Sequence, residues 1–138
     1  MISLRAAVPD DIPAVLEFWD EATAEPSSTD DAEGIGALID RSPGSLVLAF
    51  DGNTIVGSIV AGFDGWRGAL YRLAVAPSHR RQGIATALVA EAEGHLHAQG
   101  VRRMHLIVSR AGGPAAEEFW LSARYTPTDQ TRMVKDLG

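Results

Sequence analysis

Residues 70–100 constrain the fold most. They read LYRLAVAPSHRRQGIATALVAEAEGHLHAQG: an apolar strand, a turn, a Gly-containing loop, then a long amphipathic helix. Ile84, Leu88, Ala92 and Leu96 recur every four residues and form one apolar face, which must lie against a sheet. The loop opens straight into the helix, whose first turn carries backbone N–H groups with no intrahelical partner. With the positive end of the helix dipole beside them, these groups suit a phosphate or pyrophosphate. Arg80 and Arg81 can pair with anionic oxygens, Gly83 and Ala85 let them approach the backbone, and Thr86 adds a hydroxyl donor. Taken alone, the same residues also fit two solvated arginines before an ordinary helix, because short patterns recur by accident.

The rest of the chain predicts a mixed sheet flanked by helices. Ile2–Ala6 alternates as a strand, and Pro9-Asp10 opens a helix with an apolar stripe of Ile12, Val15, Leu16 and Trp19. The stretch from Glu25 to Thr29 breaks it. Asp30 with Glu33 reads as a capping box for a second helix to about Asp40, weakened by Gly34 and Gly36 and ended by Pro43-Gly44. Ser45–Phe50 and Thr54–Gly62 form a hairpin around Asp51-Gly52-Asn53, and a second turn at Asp64-Gly65 leads into a strand over Gly68–Val75. A helix over Gln82–Gln99 ends at Gly100, followed by a buried strand over Arg103–Val108. Gly112-Gly113-Pro114 starts a short helix to about Ala123, and Gln130–Asp136 is the final strand. The order is βααβββαβαβ, an α/β architecture in a single domain over residues 1–138.

Composition narrows the function. The 138 residues contain no Cys, which excludes disulfides, thiolate metal ligands and a thiol nucleophile. The N-terminus turns acidic at once, unlike a signal peptide, and the clearest apolar run, Leu46–Phe50, is too short for a bilayer. A cytoplasmic protein without a membrane partner is the expectation. Net charge is −6, with ten acids against one base in residues 1–40 and eight acids against eleven bases in residues 41–138. That balance argues against nucleic acid; a basic half suits an anionic ligand, and an acidic half can draw in a cation or merely be solvated.

Arg80-Arg81-Gln82-Gly83-Ile84-Ala85 fits the (Arg/Gln)-x-x-Gly-x-(Gly/Ala) signature, and with Leu70–Pro77 before it the chain resembles the GCN5-related N-acetyltransferases (GNAT). Glu118-Phe119-Trp120-Leu121-Ser122-Ala123-Arg124-Tyr125 is similar to that family's Phe-Tyr-Glu-x-x-Gly-Phe stretch. Thr29-Asp30-Asp31, the Asp64-Gly65-x-Arg67-Gly68 hairpin and Leu70–Pro77 resemble a bacterial subgroup of small acetyltransferases. The likeness spans nearly the whole length. It implies a mostly antiparallel GNAT-type sheet with a splay between the fourth and fifth strands. It also implies acetyl-CoA as cosubstrate, without a metal. The pyrophosphate would sit on Arg80, Arg81, Gln82, Gly83, Ile84, Ala85 and Thr86. The pantetheine arm would pair with Leu73, Ala74 and Val75, and the backbone N–H of Leu73 would meet the thioester oxygen. The acetyl group would pass by direct attack to a small-molecule amine or a protein amino terminus, and a homodimer is compatible with the apolar C-terminal region.

Departures from the family leave the acid and base open. Trp120 stands where many relatives place a proton-donating Tyr, and an indole N–H is not a usable acid. Relatives that modify protein amino termini place a Glu near Ile107; the usual Asn after the fifth strand is Gly112 or Gly113; Arg124 replaces a turn glycine. Three readings follow: Tyr71 or Tyr125 protonates the leaving thiolate, water does so, or the protein is a catalytically weakened acetyl-CoA-binding module. A larger acyl-CoA is an alternative donor. Glu17, Asp30 and Asp31 are candidates for holding the acceptor amine, beside their plainer roles as solvated or capping acids. His95 and His97, two apart on a helix, cannot share a metal; His79 reads as solvated and His105 as a core or edge residue.

Overall fold

A computed structural model describes residues 1–22, 26–109 and 113–138, in two compact units, Met1–Ile107 and Val108–Gly138. The first unit holds strands β1 (Ile2–Ala6), β2 (Leu46–Asp51), β3 (Thr54–Phe63), β4 (Gly68–Val75) and β5 (Met104–Leu106). It also holds helices α1 (Ile12–Ala22), α2 (Ala32–Arg41) and α3 (Ile84–Ala98); α4 (Pro114–Ser122) belongs to the second unit. The strands form one sheet in chain order, antiparallel except for the parallel β4–β5 pair. β1 and β4 coincide with the predicted strands, and the β2–β3 hairpin turns at Gly52-Asn53.

One face of the sheet takes α1 and α2. Val15, Phe18 and Trp19 of α1 and Ile35 of α2 bury against Leu46, Leu48, Phe50, Val60 and Ala74, with Ile12 and Leu16 partly buried at the margin. The other face takes α3, whose Ile84, Leu88, Val89, Ala92 and Leu96 are all buried, as the four-residue spacing predicts. Two glycines let that helix come close: a Cβ at Gly57 would stand 2.9 Å from a Leu88 methyl, and one at Gly68 would stand 2.9 Å from a Leu96 methyl. The helix closes with a Schellman motif. Gly100, with φ +88°, donates its N–H to His97 O, and Val101 donates to Leu96 O.

The structure corrects several expectations. The cap of α2 is Asp31, not Asp30; its side chain accepts from the Gly34 N–H at 2.7 Å, one residue later than the capping-box reading. The predicted break at Glu25 lies outside the described residues. α3 starts at Ile84 rather than Gln82, because Gly83 takes a left-handed conformation and ends the loop. The strand expected over Arg103–Val108 is only Met104–Leu106 and is not buried, since β4 offers it partners only at Gly68, Ala69 and Leu70. The final strand expected over Gln130–Asp136 is absent: that stretch has no regular structure, and Met133 and Val134 are exposed. In the second unit, α4 starts at Pro114 as predicted, and Gly112 lies outside the described residues. α4 also closes with a Schellman pattern, Arg124 N–H to Leu121 O and Tyr125 N–H to Trp120 O. Arg124 holds φ +72°, the conformation of the turn glycine it replaces. Trp120 is buried and meets Phe119 and Tyr125 edge-on, each at 5.1 Å between ring centroids.

Candidate active site

The β4–β5 splay is the centre of the first unit's site. The two strands pair at Gly68, Ala69 and Leu70 only, so Tyr71–Val75 have no strand partner on that side among the described residues. On the other side β4 carries a bulge against β3. Ser58 faces Ala74 and Val60 faces Tyr71, which places both Arg72 and Leu73 opposite the single residue Ile59. Arg72 takes φ +54° there.

A hydrogen-bonded relay fixes the bulge. Trp19 Nε1 donates to Ser58 Oγ at 2.9 Å, and Ser58 Oγ donates to the Arg72 carbonyl at 2.7 Å. The Arg72 side chain donates to both carboxylate oxygens of Asp30 at 2.6 Å and lies over the Trp19 ring at 5.4 Å. Asp30 also accepts from the Ser27 N–H at 2.9 Å. The Arg72 carbonyl and the Leu73 N–H belong to one trans peptide, so they point in opposite directions. With the carbonyl held on Ser58, the Leu73 N–H is directed away from it.

Beyond β4 the chain makes a 3-10 turn over Pro77–His79 and then the loop into α3. His79 is not simply solvated. Its Nε2 bonds Asp51 at 2.8 Å and its Nδ1 bonds Ser78 Oγ at 2.7 Å, which ties the loop's start to the β2–β3 hairpin. The His79 hydrogen bond, helped by the N-terminal amine, holds the Asp51 carboxyl below the usual carboxylate range. Arg81 has φ +62° and Gly83 φ +79°, and Arg80, Arg81, Gln82, Gly83 and Thr86 are exposed. Left-handed residues in such a loop turn successive N–H groups toward one side and make an anion-binding concavity. Gly83 caps α3 with no side-chain hydrogen bond, so no side chain takes up the N–H groups of the first turn as a cap. Nothing lies within 4 Å of a Cβ built on Gly83, so that side of the loop is open.

Leu73, Ala74 and Val75 thus lie on the open edge, and Arg80–Thr86 follow them within the same unit. Tyr71, more than half exposed, lines a depression of about 260 Å³ with Phe63, Asp64, Arg67 and His105. There Asp64 is held below the usual carboxylate range by the N–H groups of Arg67 and Trp66. His105 sits exposed on the edge strand β5. Tyr125 belongs to the second unit. Glu17 is exposed on α1, whereas Asp30 holds Arg72 and Asp31 caps α2; both aspartates serve within the fold. Arg72 and Ser58 are the residues that sequence reasoning misses. No local pattern marks an arginine that will take a left-handed conformation, or a strand serine that will serve a bulge one strand away. Among the described residues no three His, Asp or Glu side chains gather to hold a metal ion, and no helix is long and apolar enough to cross a membrane.

Comparison with known proteins gives the family and the fold. A family model described as the acetyltransferase (GNAT) family matches residues 12–123. An acetyltransferase of Pectobacterium atrosepticum is 34% identical over 136 residues, which is 99% of this chain and 96% of that protein. One from Sodalis glossinidius is 33% identical, over 96% of this chain and 93% of its own length. Among solved structures, the PaiA N-acetyltransferase of Thermoplasma acidophilum in complex with coenzyme A superposes with a TM-score of 0.75 at 20% identity, over 88% of each chain. Ard1 of Thermoplasma volcanium superposes at 0.80 with 21% identity, over 92% of this chain and 84% of its own.

Proposed function

This chain belongs to the acetyltransferase (GNAT) family, and from that premise we propose that it moves an acetyl group from acetyl-CoA to a primary amine by direct attack. The observation that carries the reading is the adjacency, in one unit, of an open strand edge at Tyr71–Val75 and an uncapped, left-handed loop at Arg80–Thr86. The loop suits a pyrophosphate and the edge suits an extended amide-bearing arm. The span matched by the family model crosses both compact units, which supports reading residues 1–138 as one acetyltransferase domain.

In the reaction the acceptor ammonium first loses a proton. The free amine then attacks the thioester carbonyl carbon; a C–N bond forms, the attacking nitrogen gives up its extra proton, the C–S bond breaks, and CoA leaves as a thiolate that takes up a proton. The Leu73 N–H meets the developing oxyanion, where a preorganised donor is worth about 3 kcal/mol. Tyr71 and Tyr125 are the candidates for returning a proton to the thiolate. Exposed Glu17, Asp20 and Glu21 on α1 favour a cationic acceptor, a small amine or a protein amino terminus.

Calorimetry with acetyl-CoA, followed by thiol release on a panel of amines, tests the reading. The Arg80→Ala/Gly83→Asp double variant places an anion beside the pyrophosphate position and is expected to weaken acetyl-CoA binding at least about tenfold. Unchanged affinity would remove the loop from the site. Binding with no thiol release on any amine would favour the weakened, acetyl-CoA-binding module instead.

A further inference from the structure

We infer that Asp30 and Arg72 are positioning residues that aim the Arg72–Leu73 peptide at the thioester carbonyl; the inference rests on the acetyl-CoA reading above. Arg72 holds φ +54°, a left-handed conformation that glycine adopts freely and other residues adopt at a cost. The arginine side chain must therefore be held there by something outside the backbone. Asp30 supplies that hold: its carboxylate takes the guanidinium at 2.6 Å on both oxygens, and the two side chains are only 16% and 20% exposed. The Ser27 N–H fixes Asp30 in turn, so the anchor is itself anchored.

The peptide that follows Arg72 is then held from both sides of the residue. Ser58 takes its carbonyl, Asp30 takes the side chain, and the Trp19 ring lies beneath the guanidinium. A planar trans peptide with a fixed carbonyl has a fixed N–H. A donor that need not reorient as charge develops is the kind that lowers a barrier, and one that swings loses most of that benefit. Asp30 lies forty-two residues from Arg72 and bonds its guanidinium, so its contribution to the Leu73 peptide passes through that side chain.

The test uses two variants. Asp30→Asn removes the charge that holds the side chain. Arg72→Gly removes the side chain while leaving a residue at ease with the left-handed conformation, so folding is preserved. The readout that needs no acceptor is the carbonyl resonance of [1-¹³C]acetyl-CoA bound to the protein, which moves downfield when the oxygen is hydrogen-bonded. Both variants are expected to return that resonance toward its free value, while the dissociation constant for acetyl-CoA changes by less than about threefold. With an amine that wild type accepts, kcat should fall at least about tenfold and KM for acetyl-CoA should stay near its wild-type value. Asp30→Glu, which keeps the carboxylate, should recover part of the shift. A wild-type-like resonance in both variants overturns the inference, as does a loss of acetyl-CoA binding that matches the loss of kcat. Failure of the wild-type protein to bind acetyl-CoA would instead overturn the reading of the site itself.

Discussion

Ser58→Ala is the substitution whose cost can be worked out most directly. Ser58 is fully buried at 0% exposure, and its hydroxyl serves two partners, Trp19 Nε1 at 2.9 Å and the Arg72 carbonyl at 2.7 Å. Alanine removes both bonds at once. Trp19 is 4% exposed, so water has poor access to its N–H, and the loss of a partner for a buried polar group costs about 1–3 kcal/mol. Arg72 is less deeply buried, so its carbonyl should lose nearer the ordinary net value of about 1 kcal/mol. The expected loss is therefore about 2–4 kcal/mol, or roughly 6–16 °C in Tm for a domain of this size. Urea unfolding and scanning calorimetry measure it. A double-mutant cycle with Trp19→Phe isolates the shared bond: Ser58→Ala should cost about 1 kcal/mol less when the indole N–H is already gone. A loss below about 0.5 kcal/mol, or strict additivity in the cycle, would refute the relay.

Two further outcomes are expected. Asp11 accepts two hydrogen bonds from Arg5, at 2.7 and 2.9 Å, and one from the Val8 N–H, and the Arg5 guanidinium, with that N–H, holds its carboxyl below the usual range. A depressed carboxylate contributes stability above the unfolded Asp value, about 4, and loses it as pH falls through the lower folded value. Asp11→Asn should therefore flatten the acid limb of a Tm-against-pH curve, with a loss of no more than about 1 kcal/mol at neutral pH because Arg5 is half exposed; an unchanged acid limb would contradict it. Trp120→Tyr restores the phenol that many relatives carry. It should raise kcat in the thiol-release assay by about threefold or more, yet far less than 10²-fold, since a thiolate leaves with little acid help; no rise would mean that protonation of the thiolate does not limit turnover.

Where a residue's role follows from its neighbours in sequence, the chain declares it. The α3 stripe, the Gly52-Asn53 turn and the alternation in β1 all depend on periods of 3.6 or 2 and on local turn chemistry. Where the role depends on a distant partner, the sequence is silent or misleading. Residues 130–136 read as a final strand in the sequence, but a strand exists only with a ladder to join. β5 is clipped to three residues because β4 diverges from it after Leu70. Asp30 and Asp31 are adjacent and chemically identical, and only Arg72, forty-two residues on from Asp30, separates the pairing residue from the cap. The loop signature at Arg80–Ala85 is legible because its function lies in its own backbone. The Asp30–Arg72–Ser58–Trp19 relay is not, because it is built from four separate segments.

The two ends of α3 differ in how they are finished. The end at Gly100 is closed by two backbone hydrogen bonds, while the end at Gly83 has no side-chain cap. On the proposed reading, the donor's pyrophosphate is the missing cap, and the substrate becomes part of what completes the fold. A ligand present at a hundred times its dissociation constant stabilises the state that binds it by about 2.7 kcal/mol. The amount of folded enzyme in a cell would then follow the supply of acyl donor: abundance, and with it resistance to proteolysis, would rise when the acyl-CoA pool is full and fall when it drains.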